Sequence, residues 1–439
     1  MSGAPLSDNP VSFLEATRTW ARIGLLSFGG PAGQIAVMHR ILVEEKRWVD
    51  EQRFLHALSY CMLLPGPEAQ QLATYIGWLL HGTRGGLVAG TLFVLPGFLA
   101  MMFLSIAYVL WRQHPLMEGL FLGLKAAVIA LVIEALIRIG RRALKTVAAR
   151  GVALIAFGAI AFAHLPFPFI MLGAGIAGYL RTRAGWGSFA ASPADPVSPP
   201  DAGQMTLTRP SGRRSAQLLA IWLPLWFLPV ALCAALMGTQ SVYTQLGVFF
   251  SKMAVVTFGG AYAVLSYVAQ QAAERFAWVT PEQMLDGLGL AESTPGPLIM
   301  VVQFVGFLAA FHAGSDHPLL AGMLGAVLTV WVTFVPCFLW IFLGAPYIEA
   351  LRGNAALGSA LAAITAAVVG VIANLALWFA SHVLFARLAA HGLPDPLSMR
   401  AAPALLTCVA LISIFVLRWG LARTLAVCAV LGAVSTMLR

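Results

Sequence analysis

Three stretches of this chain, Gly86–Trp111, Leu319–Leu343 and Leu357–Ala380, each run for more than twenty residues without one charged side chain. An α-helix needs about 20 apolar residues to cross a hydrocarbon core. Inside lipid every backbone N–H and C=O must be paired within the structure, which leaves helices or closed barrels. Runs of this length select helices. The composition agrees: 59% of the residues are hydrophobic and only 10% are charged, against roughly 25% charged in soluble domains. A larger soluble core would not remove the charges, because its outer surface would still face water. No basic region followed by an apolar run opens Met1–Pro10, so no cleaved signal peptide is expected.

The net charge of +9 does not point to nucleic acid, because the basic residues lie in loops between apolar segments. That is the charge bias of membrane proteins, whose cytoplasmic loops collect Lys and Arg. Cys61, Cys233, Cys337, Cys408 and Cys428 sit in apolar segments without CxxC spacing, and read as free thiols rather than as a disulfide framework or metal site.

An internal repeat organises the chain. Phe28-Gly29-Gly30 returns as Phe258-Gly259-Gly260, Trp48-Val49 as Trp278-Val279, and Pro65-Gly66-Pro67 as Pro295-Gly296-Pro297, all at one offset of 230. Glu44/Glu274, Leu55/Leu285, Leu58/Leu288 and the basic pair Arg22/Lys252 keep the same register. The reading is residues 1–180 as a first repeat, 181–216 as a Pro-, Ser- and Arg-rich flexible cytoplasmic linker, and 217–439 as a second repeat. The linker contains too little apolar surface to fold.

The motifs interrupt their own helices. The eleven residues Phe54–Leu64 cover only about 16 Å as a helix, half a bilayer core, so re-entrant hairpins or broken spans are expected. Four Lys/Arg in His39–Arg53, five in Arg138–Arg150 and five in the linker place these three segments on the cytoplasmic side. Pro65-Gly66-Pro67 should then dip in and return. Val152–Leu180 reads as a two-helix hairpin, and Gln217–Met237 carries the chain outside before the second repeat. The loop equivalent to His39–Arg53 then lies outside, and it holds one basic residue, Arg275. The fold class is therefore an all-α polytopic membrane protein of two inverted-topology repeats, with about nine crossings and four interrupted segments. Thr280-Pro281-Glu282-Gln283 predicts a capped helix start, with Asp50 at the equivalent cap. Trp48 and Trp278 read as interface anchors.

Chemistry is sought at the breaks. The second part of a broken helix starts with free N–H groups and about half a positive charge, which suits an anion, and transporter sites gather such ends near the midplane. Candidate binding residues are Gly29, Gly30, Pro65, Gly66, Pro67, Gly259, Gly260, Pro295, Gly296 and Pro297 at the breaks. Beside them stand the charged Arg22, Lys252, Glu68 and Glu292 and the polar Gln34, Gln71, Ser293 and Thr294. For the glycines and prolines the plainer alternative is tight packing or a kink. For Arg22 and Lys252 it is snorkelling, and for Glu68 a helix cap. Glu292 could take up protons during coupling. Tyr262 and Gln303 are further polar lining. Lys125 is an intramembrane charge, Glu134 with Arg138 reads as a structural ion pair, and His81, His114, His164 and His312 as solvated turn residues. No GxxxxGK[ST] or HExxH is present, so no ATPase, catalytic metal or cofactor is indicated.

The strings Phe28-Gly-Gly-Pro-Ala-Gly-Gln34, Glu44-Glu-Lys-Arg-Trp-Val-Asp50, Leu63-Leu-Pro-Gly-Pro-Glu-Ala-Gln-Gln-Leu72 and Ala291-Glu-Ser-Thr-Pro-Gly-Pro-Leu298 resemble the chromate ion transporter family in its long, two-domain form. The resemblance runs from about Phe13 to Ala380 and leaves out the linker and the last hairpin. It implies a carrier of the bacterial inner membrane, not an enzyme, that expels chromate, with sulfate as a related anion and two domains of opposite topology. A homodimer is compatible with it. Residue chemistry alone reaches a small oxyanion. An inward-running sulfate or oxyanion carrier, and an intramembrane enzyme acting on a lipid phosphate, remain as alternatives.

Overall fold

The computed structural model describes residues 11–189, 212–258, 261–314, 316–345, 354–387 and 394–438. Among them the chain is helical, with one isolated bridge, Phe385 to Met399. Gly259, Gly260 and most of the linker lie outside the described residues.

The first half starts with α1 (Phe13–Leu26), α2 (Gly30–His39) and α3 (Glu51–Cys61). It continues through α4 (Glu68–Trp111), α5 (Pro115–Ala143), α6 (Val147–Ala161) and α7 (Phe167–Arg183). After α8 (Gly212–Met237) the second half repeats the plan with α9 (Val242–Val256), α10 (Ala261–Gln270), α11 (Pro281–Ser293) and α12 (Val301–Ala313). It then adds α13 (Pro318–Gly344), α14 (Ala355–Leu384), α15 (Ala401–Phe415) and α16 (Leu421–Met437).

Five of these helices are long and apolar enough to cross a membrane: α4, α5, α8, α13 and α14. The protein is a multi-pass membrane protein. The other four expected crossings, α6, α7, α15 and α16, hold 15 to 17 residues. At 1.5 Å per residue they reach only about 22–26 Å, less than the core they were expected to cross.

Both breaks of the first half are hairpin tips. Lys46 pairs with Glu15 at 2.8 Å, and the His81 ring bonds the Val11 carbonyl at 2.8 Å. The start of α1, the loop after α2 and a turn within α4 therefore share one end of the bundle, the basic end. That turn, at His81 and Gly82 (φ 60°), divides α4 into two antiparallel arms. The Pro65-Gly66-Pro67 segment thus dips and returns. His81 is packed against Phe13 rather than solvated.

The two halves grip each other through equivalent atoms. The Gly66 amide donates to the Thr257 carbonyl at 2.8 Å, and the Gly296 amide donates to the Ser27 carbonyl at 2.8 Å. Both glycines hold positive φ, 126° and 91°, which only glycine adopts cheaply. Residues equivalent at the 230 offset thus make the same bond in each direction between the halves. Further along, the register widens: Gly97 lies against Gly296 as Cys337 lies against Gly66, an offset of 240. Pro96 and Pro336 match at the same offset. The ten extra residues enter where the longer α12–α13 connection replaces the tight His81–Gly82 turn.

Helices also cross over between halves. α5 packs on α15 and α16, and α14 packs on α6 and α7. Small residues set the closest approaches, Gly123 on Cys428 and Gly178 on Ala360, as expected where lipid offers no hydrophobic drive between helices.

Local signals were mostly legible. Thr280 and Gln283 form the capping box, and Asp50 caps α3. The tryptophans are a correction. Trp48 and Trp278 are only 6% and 7% exposed. A π-helical turn (Arg40–Glu45, Gln271–Arg275) followed by positive φ at Arg47 and Ala277 folds each ring inward.

Candidate functional site

Near its end α5 carries Leu131, Glu134, Arg138, Arg141 and Arg142, spaced so that they fall on one helical face. Across from them the α15–α16 turn presents Ile414, Phe415, Arg418 and Trp419. Between the two lies a cavity of about 720 Å³ that runs from the basic end down to Gly29, Tyr262 and Glu292.

Its floor is built from the breaks. Gly29 (φ 84°) precedes the first turn of α2, and Tyr262 lies in the first turn of α10. Two helix N-termini therefore border the cavity. Glu292, only 4% exposed, ends α11 and accepts a hydrogen bond from the Tyr262 hydroxyl. Arg138 reaches Glu134 at 3.3 Å, the expected ion pair, yet keeps 34% of its side chain exposed. Arg141, Arg142 and Arg418 have no carboxylate partner among the described residues. The cavity thus holds four guanidinium groups against two carboxylates. Arginine keeps its charge at any working pH and offers a flat fork of donors suited to oxyanions.

The sequence candidates divide. Gly29 and Glu292 line the cavity, and Gly30 is buried just behind. Gln34 donates to the Gly296 carbonyl at 2.7 Å, and Gln71 to the Pro65 carbonyl at 2.7 Å. Both brace the breaks. Gly66 and Gly296 spend their amides on the cross-half bonds, so these two amides tie the halves together and are not free for an anion. Pro67 and Pro297 hold the cap position instead of the first helical one. Neither has an N–H to satisfy. Glu68 stands in the first turn of α4. Ser293 and Thr294 donate to the carbonyls of Leu290 and Ala291, so their protons are already taken. Pro295 presses its carbonyl on Gly97. Pro65 lines a separate apolar cavity of about 520 Å³ with Phe258 and Trp340. Arg22 pairs with Glu45 at 2.8 Å on an exposed face, and Lys252 is exposed; neither reaches the charged cavity. Gly259 and Gly260 lie outside the described residues.

Sequence reading missed Arg138, Arg141, Arg142 and Arg418 as site residues because they serve equally well as loop charges. The available signal was the helical spacing from Glu134 onward. It also missed Asp286, 1% exposed, which accepts from the Tyr108 hydroxyl at 2.8 Å and pairs with Lys125 at 3.3 Å.

The family described as chromate transporter matches residues 14–179 and 244–434. This chain belongs to that family. The match reaches into the last hairpin, α15 and α16, whose turn lines the cavity. A chromate transport protein of Pseudomonas aeruginosa is 35% identical over 83% of this chain and 80% of its own length. A probable chromate transport protein of Synechococcus elongatus is 28% identical, covering 87% of each chain. A chromate transport protein of Cupriavidus metallidurans is 28% identical over 80% of this chain and 78% of its own. No solved structure matches.

Proposed function

We propose that this chain exports chromate across the bacterial inner membrane, taking the anion into the arginine-lined cavity and releasing it at the opposite end. The family membership supports the substrate. The observation that carries the site is the cluster of three arginines, without a carboxylate partner among the described residues, above two helix N-termini. On this reading the first repeat spans residues 1–180 and the second 217–439. They stand inverted in the bilayer, and the basic end faces the cytoplasm.

The arginines of α5 and Arg418 draw a doubly negative oxyanion out of water, and the N-terminal turns at Gly29 and Tyr262 complete its shell. Glu292 supplies opposing charge, which keeps binding from becoming too tight for release. Protonation of Glu292, or exchange against sulfate, sets the coupling. The driving force is already large: a divalent anion leaving a negative interior gains about 4.6 kcal/mol per 100 mV. Transport needs no covalent step, and the reading is of a carrier rather than an enzyme.

The test is flux of chromate and sulfate in proteoliposomes holding the full chain, with pH and voltage varied separately. Wild type should move chromate under an imposed potential. Arg142→Gln should raise the apparent KM about tenfold or more, the worth of one charged hydrogen bond. Sealed, correctly inserted vesicles that move neither anion would sink the proposal.

A further inference from the structure

Six residues before Glu292 on α11, and so about 9 Å away along the helix, sits a second buried polar cluster. Asp286 receives the Tyr108 hydroxyl from α4 and the Lys125 ammonium from α5. Arg112 covers the Tyr108 ring at 5.4 Å. Lys125 lies in the first half of α5, whose last turns carry the cavity arginines, so α5 and α11 hold two charged clusters along their shared seam. Beside the Lys125 pair the seam is tight: Gly289 of α11 sits so close to Leu124 that an added Cβ would lie 3.1 Å from the Leu124 Cβ.

A lone salt bridge buried in a bundle is weak stabilisation, since desolvation offsets most of the attraction. Intramembrane charges are kept for function. Here an ammonium and a hydroxyl converge on a single carboxylate, with a guanidinium stacked on the same tyrosine, and the donor chemistry is that which the cavity offers an oxyanion. We propose that Lys125, Tyr108 and Arg112 form the outer station of the transport path, and that Asp286 occupies it as a built-in anion while the basic end is open. The arriving tetrahedral oxyanion displaces the Asp286 carboxylate from Lys125 and leaves at the far end. This rests on the transport reading above, and adds a release site to it.

The experiment uses full-length protein in phosphatidylethanolamine–phosphatidylglycerol vesicles, with chromate as the probe, reading efflux, KM from each face, and binding from the cytoplasmic face. Lys125→Gln is expected to cut flux about tenfold or more, with cytoplasmic-face binding within twofold of wild type. Asp286→Asn removes the competitor, so the far-face KM should fall about tenfold. The double variant should stay as slow as Lys125→Gln, and Lys125→Arg should retain flux. Restored flux in the double variant would show that the pair only holds helices together, and overturns the proposal. So would an inactive Lys125→Arg with cytoplasmic-face binding lost alongside Asp286→Asn. Wild type that moves no chromate sinks the transport reading and this station with it, which separates that failure from a failure of the station alone.

Discussion

The two ends of the bundle share a scaffold and differ in furnishing. At the basic end the last turns of α5 carry Glu134, Arg138, Arg141 and Arg142 around an open cavity. At the 240 offset, the last turns of α14 carry Asn374, Trp378, Ser381 and His382 instead. Trp378 takes the place of Arg138, donates its indole N–H to Glu274 at 3.1 Å, and packs on His382 at 4.4 Å between ring centres. The floor differs as well: at the 230 offset, Ala32 and Met62 occupy the places of Tyr262 and Glu292. Duplication thus preserved the backbone devices and reassigned the side chains. On the proposed reading one end admits an anion, and the aromatic–carboxylate contact at Trp378 closes the other. A symmetric carrier would bind equally from both faces; on that proposed reading this one loads from the basic end.

The largest effect should come from the shared devices. Gly296→Val and Gly66→Val each force a β-branched residue into positive φ beside a tight backbone or side-chain contact. Each should cost about 3 kcal/mol or more and abolish folded protein in detergent by size exclusion. Unequal damage would break the reciprocity. Next, Arg138→Gln should lower chromate flux about tenfold to 100-fold, while His382→Gln, at the place equivalent to Arg142, changes it less than about twofold. Equal losses would mean that both ends bind anion. Third, Trp378→Ala removes the stopper and one hydrogen bond, worth about 1 kcal/mol, so the far-face KM should drop about fivefold; an unchanged value would deny it a gating role. Fourth, Glu292→Gln keeps the Tyr262 contact but drops the opposing charge, and should tighten cytoplasmic-face binding about threefold to tenfold. The smallest effect compares the caps: Thr280→Ala and Asp50→Ala should each cost about 1 kcal/mol, read as similar decreases in Tm.

Much of this fold was legible because the repeat reuses whole strings. FGG and PGP announced breaks, and the charge count led to the expectation that the Pro65-Gly66-Pro67 segment dips in and returns. The π-helical turns and the inward tryptophans had no signature, because Trp beside a basic loop looks the same whether it anchors or packs. The site was legible only at its floor. Gly29 and Glu292 sit within motifs, whereas Arg138–Arg142 looked like the end of a loop until α5 was seen to continue to Ala143. Asp286 stood in an unremarkable Met-Leu-Asp-Gly-Leu run, and its partners Tyr108 and Lys125 belong to the other half. Long-range pairs leave no local trace. Nor did any local string announce that the amides of Gly66 and Gly296 are claimed by the other half.

That claim has a consequence for how such a chain comes to exist. With Gly66 answered by Thr257 and Gly296 by Ser27, each half lends the other one donor and one acceptor, in a solvent that offers no substitute. A ribosome finishing the first half has made something unfinished. A polypeptide carrying one copy of the plan would have to borrow its complement from a second molecule.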